Sequence, residues 1–143
     1  MNTAAALSAS TSGGKGLHIA LWVVQVVLAV MFGMAGFMKA TQPLAALAQQ
    51  IPWVPDVPAA LVRFIGVAEF AAALGLVLPA ATRIRPRLTP LAAVGLVLVM
   101  TLAAIFHLTR GELAGIVANA VLGAAAAFVA WGRTRKAPIV PRG

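Results

Sequence analysis

Cysteine is absent from the 143 residues. The chain therefore forms no disulfide, no dithiol redox pair and no thiolate metal site. Charge is also scarce: 10% of the residues carry it, against roughly 25% in ordinary soluble domains. A chain this short leaves much of its surface in contact with solvent, and water would require more polar surface than is present. That excludes a soluble globular domain. Intrinsic disorder is excluded too, because disordered chains are poor in apolar residues. No nucleophile elbow, phosphate loop or metal-ligand pair occurs, so no motif marks a stand-alone enzyme or a metal site.

What remains is apolar: 62% of the residues are hydrophobic. A helix needs about 20 apolar residues to cross the hydrocarbon, and four runs qualify. They extend from Leu17 to Met38, Ala59 to Ala80, Leu88 to Leu108 and Leu113 to Trp131. Membrane strands would alternate apolar and polar residues, whereas these runs are apolar on every face. The expected fold is all-α, a membrane-spanning four-helix bundle over residues 17–132, with Pro79 and Pro86 marking where the second span stops and the third starts. Residues 1–16, rich in Ala, Ser, Thr and Gly, read as a flexible tail without the features of a cleaved signal, so the first span would act as a retained anchor. Residues 133–143 read as a basic tail. In the long connection, "PLAALAQQI" predicts a short interfacial helix and "PWVPDVP" a proline-braced loop. Trp53 in that loop suits the membrane–water interface.

Four spans place both termini on one side. With them lie Lys15, Arg83, Arg85, Arg87, Arg133, Arg135, Lys136 and Arg142; Lys39, Arg63 and Arg110 lie opposite. By the positive-inside rule both termini are expected in the cytoplasm of a cell-membrane protein. The net charge of +8 is thus chiefly a topology signal. Arg83, Arg85, Arg87, Arg133, Arg135 and Lys136 are also candidates for attracting anionic lipid headgroups. Nucleic acid is not an expected partner, since the clusters are small and have no stacking platform beside them.

Charged or polar groups inside the spans need an explanation, because one charge at a helix centre costs at least ~2.5 kcal/mol. Glu69 lies near the midplane of the second span, about ten residues in. Arg63, Lys39, His107 and Asn119 all fall in the same half of the membrane, away from the termini. A polar pocket lined by all four helices would explain the asymmetry; alternatively, Lys39, Arg63 and His107 merely anchor helix ends. Arg63 is about 120° from Glu69 around the helix, so Lys39 or His107 is at least as good a partner for the carboxylate. Glu69 could otherwise be the neutral acid, donating a hydrogen bond to a quinone or lipid carbonyl. Met31, Met34 and Met38 share a helix face, a spacing that packing explains better than copper. His18 and His107 lie at opposite ends and cannot clamp one haem within a subunit, which leaves open a single-histidine haem at a subunit interface.

The segments "MFGMAGFMKATQP", "RFIGVAEFAAALGLVLP" and "LAAIFHLTRGE" resemble the DoxX-like family of small four-helix membrane proteins. The pattern falls on Gly36 and Lys39, on Arg63, Gly66 and Glu69, and on His107, and the likeness covers most of residues 17–131. Most members have no defined activity. Some are similar to the small subunit of a thiosulfate:quinone oxidoreductase, and others are linked to redox stress or quinone handling. The resemblance implies a quinone- or lipid-facing pocket lined by Lys39, Arg63, Glu69 and His107. It also implies an accessory role beside a redox partner protein rather than a stand-alone enzyme. Any sulfur chemistry would come from that partner, since the chain has no thiol. A non-catalytic scaffold, or a small transporter with Glu69 as proton carrier, are the alternatives. Self-association would suit a bundle this small.

Overall fold

The computed structural model describes residues 3–143, with side chains from Gly14 onward. It consists of five α-helices joined by short connections, with no strand among the described residues. Helix α1 spans Thr3–Thr41, α2 Leu44–Gln50, α3 Ala59–Thr82, α4 Leu88–Thr109 and α5 Leu113–Trp131. A 3₁₀ turn, Val54–Asp56, lies between α2 and α3, and α5 runs on into a π-helical turn, Gly132–Lys136. Helices α1, α3, α4 and α5 are long and apolar enough to cross a membrane.

The apolar runs place three of the four spans almost to the residue. Helix α1 departs from the expected tail: its helical backbone starts at Thr3. Ala4, Ala5, Ala6, Leu7 and Ala9 are strong helix formers, and extending a formed helix adds one hydrogen bond for each residue fixed. Met1 and Asn2 lie outside the described residues. Pro79 also departs from expectation. It sits inside α3, which continues to Thr82 and stops at Arg83 in the left-handed conformation, φ 60°. The carbonyl that proline leaves unpaired lies one turn earlier, so the last turn survives.

Helix α1 packs mainly on α3 and α4 on α5, while α3–α4 and α1–α5 contacts close the bundle. The core between them is built from Leu28, Phe32, Leu76, Leu96, Met100 and Val129, with alanines at closer crossings. A satellite core of Leu47, Val54 and Val62 holds α2 and the 3₁₀ turn on the start of α3. The outward faces are as apolar as the core: Phe64, Leu91, Leu98 and Val121 are all exposed. An apolar face of this extent is unstable in water and natural in lipid. Met31 and Met34 lie on that outward face while Met100 is in the core, so the methionines do not converge.

The C-terminal segment returns to the end of the bundle formed by the start of α1 and the α3–α4 turn. There Arg142 N–H donates to the Arg83 carbonyl at 2.9 Å. Residues 133–143, most of them exposed, thus fold back on the bundle through Arg133 and this Arg142 contact.

Candidate functional site

The site begins with two glycines. A Cβ on Gly36 of α1 would lie 2.5 Å from the Phe70 nitrogen and 2.6 Å from the Gly66 carbonyl oxygen. A Cβ on Gly66 of α3 would lie 2.6 Å from the Ala40 nitrogen. Only glycine lets the two backbones touch here, as small residues do at membrane helix crossings. The crossing sets Lys39, at the end of α1, against Glu69 in the middle of α3.

Lys39 Nζ donates to Glu69 Oε2 at 2.5 Å, and both residues are more than nine-tenths buried. Of the two candidate partners, Glu69 is therefore joined to Lys39 and not to His107. Arg63 sits elsewhere. Its Nη1 donates to the Lys39 backbone carbonyl at 2.7 Å, satisfying an end carbonyl of α1. The expectation that Arg63 lines the pocket is corrected: its guanidinium is committed to that carbonyl, and it is not among the residues around the cavity.

A cavity of about 560 Å³ opens beside the ion pair and draws on all four spans. Lys39, Glu69, His107 and Asn119 contribute to its lining. The remaining wall is apolar and aromatic, chiefly Leu61, Phe64, Met100, Leu102 and Phe106. Trp53 closes one side, its ring edge-on to Phe106 at 6.2 Å. The satellite core under α2 and the 3₁₀ turn holds it there, so Trp53 is a wall residue as well as an interfacial one.

His107 is fixed by two contacts. Its Nδ1 donates to Glu112 Oε2 at 2.6 Å, since the carboxylate can only accept. The ring also lies against Gly115, where any Cβ would overlap it. Asn119 donates from Nδ2 to the Gly115 carbonyl at 2.7 Å.

Sequence reasoning missed a surface network that locks this end. Arg110 Nε donates to Glu112 Oε1 at 2.7 Å, and Arg110 Nη1 to Asp56 Oδ2 at 2.6 Å. The Arg110 and His107 hydrogen bonds hold the Glu112 carboxyl below its usual range. Arg110 is in turn held more firmly protonated by Glu112 and Asp56. The network ties the Trp53 loop to the α4–α5 turn. Its signal was available: the chain has three acidic residues, and the two outside the spans sit close in sequence to Trp53 and His107.

The family model described as the DoxX-like family matches residues 23–129. The chain belongs to the DoxX-like family. Its matched stretch contains Lys39, Arg63, Glu69, His107 and Asn119, and with the four apolar helices it makes this DoxX-like chain a small multi-pass membrane protein. No curated protein and no solved structure matches the chain.

The basic residues at the other end differ among themselves. Arg83, Arg85, Arg87, Arg135 and Lys136 are exposed. Arg133 is not; it is 3% exposed. Its Nε donates to Gln25 Oε1 at 2.6 Å. Arg133 thus differs from the exposed cations around it, because the π turn after Trp131 turns it inward onto α1.

Proposed function

We propose that this DoxX-like protein holds a quinone headgroup in the cavity beside Lys39 and Glu69, as an accessory to membrane redox or oxidative-stress chemistry. The observation that carries the reading is the composition of the wall. A few polar groups converge on an otherwise apolar, aromatic chamber, the usual character of small-molecule sites. Its volume of about 560 Å³ lies within the common range of about 300–1,000 Å³ for such sites. A quinone ring has two carbonyl acceptors and no charge. The Lys39 ammonium supplies donors, Asn119 and His107 supply polar contacts, and Phe106 with Trp53 offers aromatic faces. The apolar wall toward α3 and α4 suits an isoprenoid tail. With the termini cytoplasmic, the cavity lies in the outer half of the membrane. Electron transfer then belongs to the quinone and a partner protein.

A second reading has its own support. The Gly36–Gly66 crossing and the Lys39–Glu69 pair would also serve a scaffold that only holds α1 against α3. One experiment separates the two: quenching of Trp53 fluorescence by a water-soluble quinone analogue, in protein with Trp22 and Trp131 replaced by Phe. On the quinone reading Glu69→Gln weakens saturable quenching while the bundle stays folded. Unchanged quenching affinity in Glu69→Gln supports the scaffold instead, because lowered thermal stability follows from breaking the buried pair on either reading.

A further inference from the structure

The opposite end of the bundle holds a second polar cluster, built around the buried Arg133 and Gln25 and reaching the exposed His18. Its guanidinium donates from Nε to Gln25 Oε1 at 2.6 Å and from Nη1 to the Ala137 carbonyl at 3.2 Å. Gln25 is itself aimed by donating from Nε2 to the Leu76 carbonyl at 2.6 Å. Arg133 Nη1 also approaches His18 Nδ1 at 3.1 Å, while Trp22 Nε1 donates to His18 Nε2 at 3.1 Å. A neutral imidazole has one acceptor nitrogen, not two, so one of these donors is surplus. Arg133 Nη2 is buried and has no hydrogen-bond partner among the described residues. The cluster has more donors than acceptors.

It also lacks a counter-charge. The three acidic residues are committed elsewhere, Glu69 to Lys39 and both Asp56 and Glu112 to Arg110. Buried arginine is normally paired, because leaving the charge unmatched is costly. No carboxylate among the described residues reaches it.

Arg133 lines a cavity of about 660 Å³ together with Arg87, Leu91, Val94, Ile139 and Val140. A second hollow of about 460 Å³ shares Ile139 and Val140 and adds His18, Trp22 and Arg83. Both hollows combine basic side chains with apolar wall. Their missing complement is an anion attached to hydrocarbon.

We infer that Arg133, with Arg87 beside it, binds the phosphodiester of an anionic phospholipid in the larger cavity, its acyl chain lying along Leu91 and Val94. Guanidinium and phosphate match in charge and in fork geometry. The phosphate oxygens supply the acceptors that the Arg133 cluster lacks. The segment from Pro138 to Pro141, which walls the cavity, has no helical hydrogen bonds and is the part that adjusts to admit the headgroup.

The test is native mass spectrometry of the full chain in detergent, titrated with phosphatidylglycerol and with phosphatidylcholine of the same acyl chains. The first is expected to bind about tenfold more tightly, equivalent to ~1.4 kcal/mol. Arg133→Gln and, separately, Arg87→Gln remove most of that preference, whereas Lys15→Gln, an exposed cation at the same end, leaves it. If Arg133→Gln fails to fold, Arg87→Gln and the wild-type preference still decide the matter. Equal affinity for the two lipids overturns the inference, as does an equal loss in Lys15→Gln. Displacement of phosphatidylglycerol by equimolar inorganic phosphate would also overturn it, since the site would then take free phosphate.

Discussion

Replacing Lys39 by Met tests the ion pair at the centre of the bundle. Met keeps the length and apolar stem of lysine, so packing against α3 changes little. What changes is Glu69, which keeps its carboxylate at 4% exposure and loses its partner at 2.5 Å. Breaking a buried pair by removing one member costs about 3–5 kcal/mol. Replacing both members with apolar residues is about neutral, or stabilising by about 1–4 kcal/mol. Lys39→Met should therefore lower the unfolding free energy by about 3 kcal/mol or more, and Lys39→Met/Glu69→Leu should recover most of it. Denaturant unfolding in detergent, followed by circular dichroism, measures both. A single-variant loss below about 1 kcal/mol would refute the reasoning, because it would put the pair at the level of an exposed one. A double variant as unstable as the single would also refute it, since the cost would then lie in packing and not in an orphaned charge.

Gly66→Ala puts a methyl 2.6 Å from the Ala40 nitrogen, where backbone must give way. Overpacking of this kind costs about 1–3 kcal/mol, so a lower unfolding midpoint is expected, and an unchanged one would contradict the close crossing. The surface network around Arg110 should depend on pH. The folded-state pKa of Glu112 is depressed, so its stabilisation is complete above the ordinary carboxylate range and is lost as pH falls through that lower value. Trp53 emission should report release of the loop on acidification, and Arg110→Gln should move that release to higher pH; no movement would count against the network. Tags at both termini should be accessible from the cytoplasm only, and labelling from outside would invert the topology.

The spans were legible because hydropathy and punctuation agree. Prolines and arginines bound the apolar runs, so α3, α4 and α5 begin where those runs begin. Lys39 and Glu69 were legible for a different reason: a charge in hydrocarbon must have a partner, and few were on offer. The orientation of helix faces was hidden. Helix α5 is apolar around its whole circumference, and such a helix gives no sign of which side turns inward. Arg133 could therefore be placed at the span's end but not in its interior, and Gln25 had no visible counterpart. Arg63 was misassigned for the same reason: its depth was readable, but its direction toward the end of α1 was not. The packing of Trp53 against Phe106 joins two distant segments that no local pattern connects.

The central claim is that the cavity beside Lys39 and Glu69 takes a quinone. Photolabelling of the protein in membranes with an azido-quinone, followed by peptide mapping, tests it most directly. The account predicts saturable labelling of the segments around Trp53 and Phe106, competed by unlabelled quinone and reduced in Glu69→Gln. Labelling that does not saturate, or that falls on lipid-facing residues such as Leu91 and Val121, would contradict it.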